Sequence, residues 1–135
     1  MKKKNTLLLF LCLFSLWAVA QEKKPVKIAC VGNSITYGSG IKNQFQNSYP
    51  GLLSQLLGEG YDVRNFGISA RVLLNKGDHP YMHEQKFRDL LAFQPDIVTI
   101  KLGTNDSKPW NWHYGKDFGK DLTEMLDILQ DLPSK

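Results

Sequence analysis

Short apolar runs alternate with segments of helical periodicity along this chain. Three runs predict buried strands, and each stops at a glycine: 26–31, 61–66 and 97–102. Three further segments predict helices, since their apolar residues recur on one side: 48–57, 83–93 and 116–132. Strands that alternate with helices favour parallel crossover connections. We therefore predict an α/β fold, a three-layer α/β/α sandwich around a parallel sheet.

The glycines after the strands, Gly32, Gly67 and Gly103, mark where three loops begin. In open parallel sheets the ligand crevice lies beyond the carboxyl ends of the strands. We expect the three post-strand loops to meet there. Their distinctive residues are Ser34 in the first loop and Asn105 in the third.

Taken singly, each loop also fits an ordinary turn of Gly, Ser, Asn and Asp. Taken together, they supply a hydroxyl nucleophile, backbone N–H groups and a side-chain amide from three neighbouring strand ends. Acyl transfer needs a nucleophile beside hydrogen-bond donors that face the developing oxyanion. The combination therefore favours a serine acyl hydrolase over a phosphate-binding protein, whose glycine motifs are absent.

The sequence resembles the SGNH (GDSL-like) hydrolase family in three blocks: Gly32-Asn33-Ser34, Asn65-Phe66-Gly67 and Gly103-Thr104-Asn105-Asp106. The resemblance covers 26–132 and implies the flavodoxin-like SGNH hydrolase fold. It implies that Ser34 is the catalytic nucleophile. It also implies an oxyanion hole made by the Ser34 and Gly67 N–H groups and the Asn105 amide, with no cofactor.

The family's fourth block, an Asp-x-x-His that carries the general base, has no match in this sequence, where the last histidine is His113. We therefore expect a fragment, truncated after the third β-α unit and nearly inactive alone. The expected strand order is 2-1-3, which leaves 97–102 as an open edge. Such an edge predicts a poorly stable or associating chain.

Candidate substrate contacts are Asn33, Trp110, Trp112 and His113. Asn33 replaces the family's common aspartate, as in its carbohydrate esterases. Flat aromatic rings beside polar groups suit the apolar face of a sugar. The chain thus resembles exported sialate or xylan O-acetylesterases, which implies a carbohydrate or small-molecule ester as partner. Equally, the tryptophans could pin their loop to the protein. A non-catalytic, carbohydrate-binding remnant is the alternative function.

Two of the three histidines have a spacing that could bind a metal, but this is the weaker interpretation of them. His79 and His83 are four residues apart, a spacing that suits a metal pair on a helix, but Pro80 lies between them. A solvated helix start explains them better, so we expect no metal site. Cys30 ends an apolar strand and predicts a buried thiol.

The first twenty residues predict a signal peptide, with three lysines, an apolar stretch and Ala18-Val19-Ala20 as the cleavage site. One domain, 21–135, would then be secreted or periplasmic, with no membrane segment after cleavage. Removing the leader leaves 14 basic against 13 acidic residues. That balance gives no reason to expect nucleic acid as partner, and the oligomeric state stays open.

Overall fold

A three-stranded parallel sheet forms the centre of the computed structural model, which describes residues 24–133. The strands are β1 (Val26–Gly32), β2 (Tyr61–Gly67) and β3 (Ile97–Lys101), in the spatial order β2-β1-β3. Gly32 pairs with Gly67 on one side and with Lys101 on the other. The predicted parallel sheet is confirmed, and all three strands end at the same edge.

Three helices correspond to those that the periodicity predicts: α3 (Tyr49–Leu57), α4 (Gln85–Phe93) and α6 (Phe118–Gln130). Three four-residue helices were not predicted, because one helical turn is too short to show a period. They are α1 (Ser34–Tyr37), α2 (Gln44–Asn47) and α5 (Pro109–Trp112). Two 3₁₀ turns, Tyr81–His83 and Gly115–Asp117, lead into α4 and α6.

The main core lies on one face of the sheet. Ala29 and Val31 of β1 point to that face, where they pack with Leu90 of α4 and Met125 of α6, all of them buried. Successive strand residues point to opposite faces, so Cys30 lies on the other side and is also buried. Helix α3 covers that side, since the Tyr49 hydroxyl lies 3.3 Å from Thr99 Oγ1. Helices on both faces confirm the three-layer arrangement.

Apolar side chains on helix α3 and on the outer strand remain exposed. Leu56 on α3 is 84% exposed, so the leucine side of this helix is only partly covered. Ile97 of the outer strand β3 is 46% exposed. The predicted leader, 1–20, lies outside the described residues. Within the residues that are described, no helix is long and apolar enough to cross a membrane.

Candidate active site

Ser34 is the first residue of α1, two positions beyond the end of the central strand. Its side chain is half-buried, and its hydroxyl has no hydrogen-bond partner among residues 24–133. The preceding residue starts the helix: Asn33 Oδ1 accepts a hydrogen bond of 3.1 Å from the Ile35 N–H. Such an N-cap bonds a backbone N–H of the first helical turn, which has no acceptor within the helix. The cap therefore presents Ser34 at a sharp strand-to-helix turn.

Asn33 itself is fully buried in this turn. A contact with substrate needs an exposed atom, so the contact expected from the sequence stays a prediction. The Asn33 N–H also donates to the carbonyl of Lys101 at 3.3 Å, which ties the turn to β3. The asparagine thus positions Ser34 from below.

Gly67 lies directly beneath α1. A Cβ at this position would come within 2.3 Å of the Tyr37 nitrogen, so only glycine permits the close approach. Its N–H donates to Asn65 Oδ1 at 2.8 Å, while Asn65 Nδ2 donates to the Thr36 carbonyl at 2.9 Å. One asparagine side chain therefore connects the end of β2 to the helix that carries Ser34. The Gly67 N–H, predicted to bind the oxyanion, is already engaged in this arrangement.

Ala70 is a residue that the sequence analysis did not single out. Its φ is +68°, in the left-handed region that non-glycine residues rarely adopt. Its N–H has no acceptor within the described chain. Its neighbours connect both sides of the site, since Ser69 Oγ lies 2.7 Å from Ser39 Oγ and the Arg71 carbonyl accepts from Asn105. A positive φ is invisible in an alanine, so no sequence signal marked it.

Asn105 is the third predicted site residue, and it is 8% exposed. Its Nδ2 donates to the Arg71 carbonyl at 3.0 Å, which uses one of the two amide protons. This bond joins Asn105 to the loop after β2. In an ordinary Asx turn the side chain would instead bond the backbone of its own loop. The loops after β2 and β3 are thereby joined beside the end of β1.

Asp106 fixes this junction. It is fully buried, and its carboxylate accepts backbone hydrogen bonds from Leu73 and Leu74, each 2.8 Å long, and from Gly103 at 3.1 Å. The sequence motif contains Asp106, but its role was not predicted. Three bonds to backbone N–H groups show that it holds the two loops together and orients Asn105 between them.

The aromatic loop comprises residues 108–114, which follow the third motif. In it, Trp110 and Trp112 are 60% and 53% exposed, and their predicted contact with substrate stays a prediction. His113 is exposed, and its ring centroid lies 5.0 Å from that of Tyr114. Neither His113 nor the exposed His79 and His83 hydrogen-bonds Ser34 within residues 24–133. No group of three metal-ligating side chains occurs in the same range.

A groove of about 900 Å³ lies on the far side of α1, along the β2 edge. Its walls include Tyr37, Phe45, Asp62 and Asn65, but not Ser34, Gly67 or Asn105. Tyr37 and Asn65 form the boundary between this groove and the strand-end site. The chemistry suggested by the three motifs therefore belongs to the strand ends, outside this groove.

Comparison of the sequence with known proteins identifies the family of this chain. Residues 30–135 match the GDSL-like Lipase/Acylhydrolase family. The chain belongs to this family. It is also 54% identical over 111 residues to an acetylxylan esterase of Xylanibacter ruminicola. That alignment covers 82% of the chain and 23% of the relative, so the chain spans less than a quarter of the length of that protein.

Two solved structures share the fold. AlinE4, described as an SGNH-hydrolase family esterase, has a TM-score of 0.58 at 24% identity, covering 82% of this chain and 57% of AlinE4. A mutant of AlinE4 has a TM-score of 0.59 at 23% identity, covering 79% of this chain and 54% of its own. These likenesses confirm the predicted SGNH hydrolase fold. The chain spans little more than half the length of either structure.

Proposed function

We propose that this chain carries the nucleophile and the oxyanion-binding groups of a serine esterase that hydrolyses acetyl or other small acyl esters, on carbohydrates by preference. The unengaged Ser34 hydroxyl at the end of the central strand is the observation that carries the proposal. The Asn105 amide at the neighbouring strand end supports it. The similarity to an acetylxylan esterase supports the substrate class.

The proposed reaction has two halves. Ser34 Oγ attacks the ester carbonyl and loses its proton to a base, and the carbonyl oxygen becomes an oxyanion. The tetrahedral intermediate expels the sugar oxygen, which takes up a proton, and an acyl-Ser34 ester remains. Water then attacks this ester by the same steps, releasing the acid and restoring the Ser34 hydroxyl.

The oxyanion needs donors that are free to meet it. The Ser34 N–H and the second proton of the Asn105 amide have no other partner within residues 24–133. The Gly67 N–H is bound by Asn65, whereas the Ala70 N–H is not engaged. We therefore propose Ala70 as the second backbone donor. Gly67 stays a prediction, which requires Asn65 to release its N–H.

Catalysis by Ser34 also needs a general base beside its hydroxyl. A serine hydroxyl without an adjacent base is a weak nucleophile at neutral pH. Since no base contacts Ser34 among the described residues, we expect these 135 residues alone to turn over slowly. The same observation favours the alternative, a carbohydrate-binding protein that keeps the crevice without catalysis.

Hydrolysis of p-nitrophenyl acetate, measured with added imidazole as an external base, separates the two functions. Under the esterase proposal, imidazole stimulates the full chain, and Ser34→Ala abolishes that stimulation. Ser107→Ala, which removes an exposed hydroxyl bonded only to the Thr104 carbonyl, is the matched control. Mass spectrometry should find an acetyl group on Ser34 during turnover. Identical rates for Ser34→Ala and the unmodified chain would contradict the esterase and leave the binding function.

Export is part of the proposal, since an ester on a plant polysaccharide is met outside the cell. Residues 1–20 have the composition of a signal peptide. Expression in a bacterial host should yield a periplasmic or secreted product whose N-terminus is Gln21. Retention of Met1 on a cytoplasmic product would contradict export.

A further inference from the structure

The two exposed tryptophans of the aromatic loop have different surroundings. The Trp112 ring lies against Gly115, where a Cβ would come within 2.8 Å of the ring, and its centroid is 6.1 Å from that of Phe118. Trp112 therefore uses its ring for packing. Trp110 has no aromatic partner in the described part of the chain, although the Lys108 ammonium lies 5.6 Å from its centroid. Trp110 presents its ring to solvent with 60% exposure.

Asp78 holds Trp110 in this exposed orientation. Its Oδ2 accepts from Trp110 Nε1 at 3.2 Å, and its Oδ1 accepts from Asn111 Nδ2 at 3.0 Å. The Asp78 N–H in turn donates to Asn111 Oδ1 at 2.9 Å. Because the indole N–H is bonded, the ring cannot turn inward without breaking a charge-assisted hydrogen bond.

The same asparagine connects the ring to the strand-end site. Asn111 is 1% exposed, and its Nδ2 also donates to the Asn105 carbonyl at 3.0 Å. One buried side chain thus bonds both the carboxylate that orients Trp110 and the residue proposed to bind the oxyanion. A ring stacked on Trp110 would therefore keep a fixed position relative to Asn105.

We propose that Trp110, oriented by Asp78, is the platform on which a pyranose ring of a neutral polysaccharide stacks beside the site, while Trp112 only pins the loop. The inference rests on the carbohydrate substrate of the proposed function. The apolar C–H face of a pyranose fits a flat indole. The polar rim formed by Lys108 and Asp78 suits the sugar hydroxyls.

Isothermal titration calorimetry with xylohexaose tests the platform, because the heat of binding does not depend on Trp110 as a fluorescent reporter. We expect saturable binding that Trp110→Ala weakens at least tenfold and that Trp110→Phe, which keeps a flat ring, largely restores. Trp112→Phe should change the affinity less than twofold, and so should Phe45→Ala, which removes a 93% exposed ring elsewhere.

Asp78 acts through Trp110 and is a positioning residue. Asp78→Asn replaces one acceptor oxygen with a donor, which must then face either Trp110 or Asn111. In a background with Trp17→Phe and Trp112→Phe, where Trp110 is the one tryptophan left, this change should raise the acrylamide quenching of Trp110. It should also weaken xylohexaose binding several-fold. Unchanged quenching would contradict the positioning role.

A xylohexaose affinity that Trp110→Ala leaves unchanged, or no binding of xylohexaose to the folded chain, would overturn the platform. Circular dichroism checks that each variant folds, and Trp110→Leu, which is apolar but not flat, serves if Trp110→Ala does not. The esterase proposal fails in a different assay, through acetate release that does not depend on Ser34. The two proposals can therefore fail separately.

Discussion

Asp106 Oδ1 accepts a 2.8 Å hydrogen bond from the backbone N–H of Leu73, a residue 33 positions earlier in the chain. The same oxygen accepts from Leu74, and the second oxygen accepts from Gly103. The carboxylate is fully buried, so water cannot replace any of these bonds. This side chain, together with the bond from Asn105 to the Arg71 carbonyl, therefore sets the relative position of the loops after β2 and β3.

Asp106→Asn should lower the free energy of unfolding by about 2–3 kcal/mol, since an amide group would face backbone N–H donors and lose charge-assisted bonds. Urea denaturation measures the change. Asp127→Asn on the exposed side of α6 is the control and should change stability by less than about 0.5 kcal/mol. Equal stability of the two variants would show that Asp106 does not hold the loops.

Gly67→Ala should destabilise the protein by about 1–3 kcal/mol, because the new methyl group meets the α1 backbone, which cannot move aside cheaply. Gly60→Ala is the matched control, since a Cβ there has no atom within 4 Å. Thermal unfolding of both variants gives the comparison. A Gly67→Ala variant as stable as Gly60→Ala would contradict the close contact between β2 and α1.

Ala70→Gly should stabilise the fold by about 0.5–1 kcal/mol, because glycine adopts a positive φ without the steric penalty of a Cβ. Ala92→Gly, the same substitution on the exposed side of α4, should instead destabilise by about 0.5–1 kcal/mol. Chemical denaturation of the pair yields both values. Destabilisation by both substitutions would argue against the left-handed conformation of Ala70.

Replacing the backbone N–H of Ala70 by an ester oxygen tests its proposed contact with the oxyanion. The readout is the rate at which an activated phosphate ester labels Ser34, followed by mass spectrometry, because this needs a single turnover. Loss of one oxyanion donor should slow labelling by about 10²–10³-fold. The same replacement at Gly67 should have a small effect. The reverse order would assign the donor to Gly67, as the family resemblance implies.

The buried phenol of Tyr81 should make the stability of the protein depend on pH in the alkaline range. Burial raises the pKa of its phenol, and its hydroxyl donates to the Phe66 carbonyl at 2.6 Å. The folded state thus favours the neutral phenol, and its stabilising contribution is complete below about pH 10, the unfolded pKa of tyrosine. The contribution must fall as pH rises above that value, since ionisation then favours unfolding.

Tyr81→Phe should therefore cost about 1 kcal/mol of unfolding free energy at pH 7. The difference from the unmodified protein should shrink above pH 10. Tyr61→Phe is the control, because its hydroxyl has no partner within residues 24–133. A difference that does not vary between pH 7 and 11 would contradict the raised pKa.

The sequence predicted the strands and the convergence of their ends, because each buried strand is an apolar run that stops at a glycine. It also predicted Ser34 and Asn105 as site residues, since polar groups at strand ends stand out against apolar neighbours. The three longer helices followed from their periodicity. Their ends lie within a few residues of the expected positions.

Other features depend on tertiary contacts that no local pattern records. Asn and Asp are residue types that usually lie at the surface. Asn33 and Asp106 are nevertheless buried, because loops pack over them. The backbone of Ala70 is set by bonds on either side of it, not by its own preference. The different surroundings of Trp110 and Trp112 depend on their contacts with Asp78 and Gly115, which no sequence pattern records.

Cys30 sits in the middle of the central strand with no exposed surface, four residues before Ser34. A thiol reagent can reach this side chain only when α3 moves away from the face of the sheet that it covers. In a chain with Cys12→Ser, the rate of thiol labelling would therefore measure how often α3 leaves the sheet. The strand that leads to Ser34 thus contains its own reporter of local unfolding.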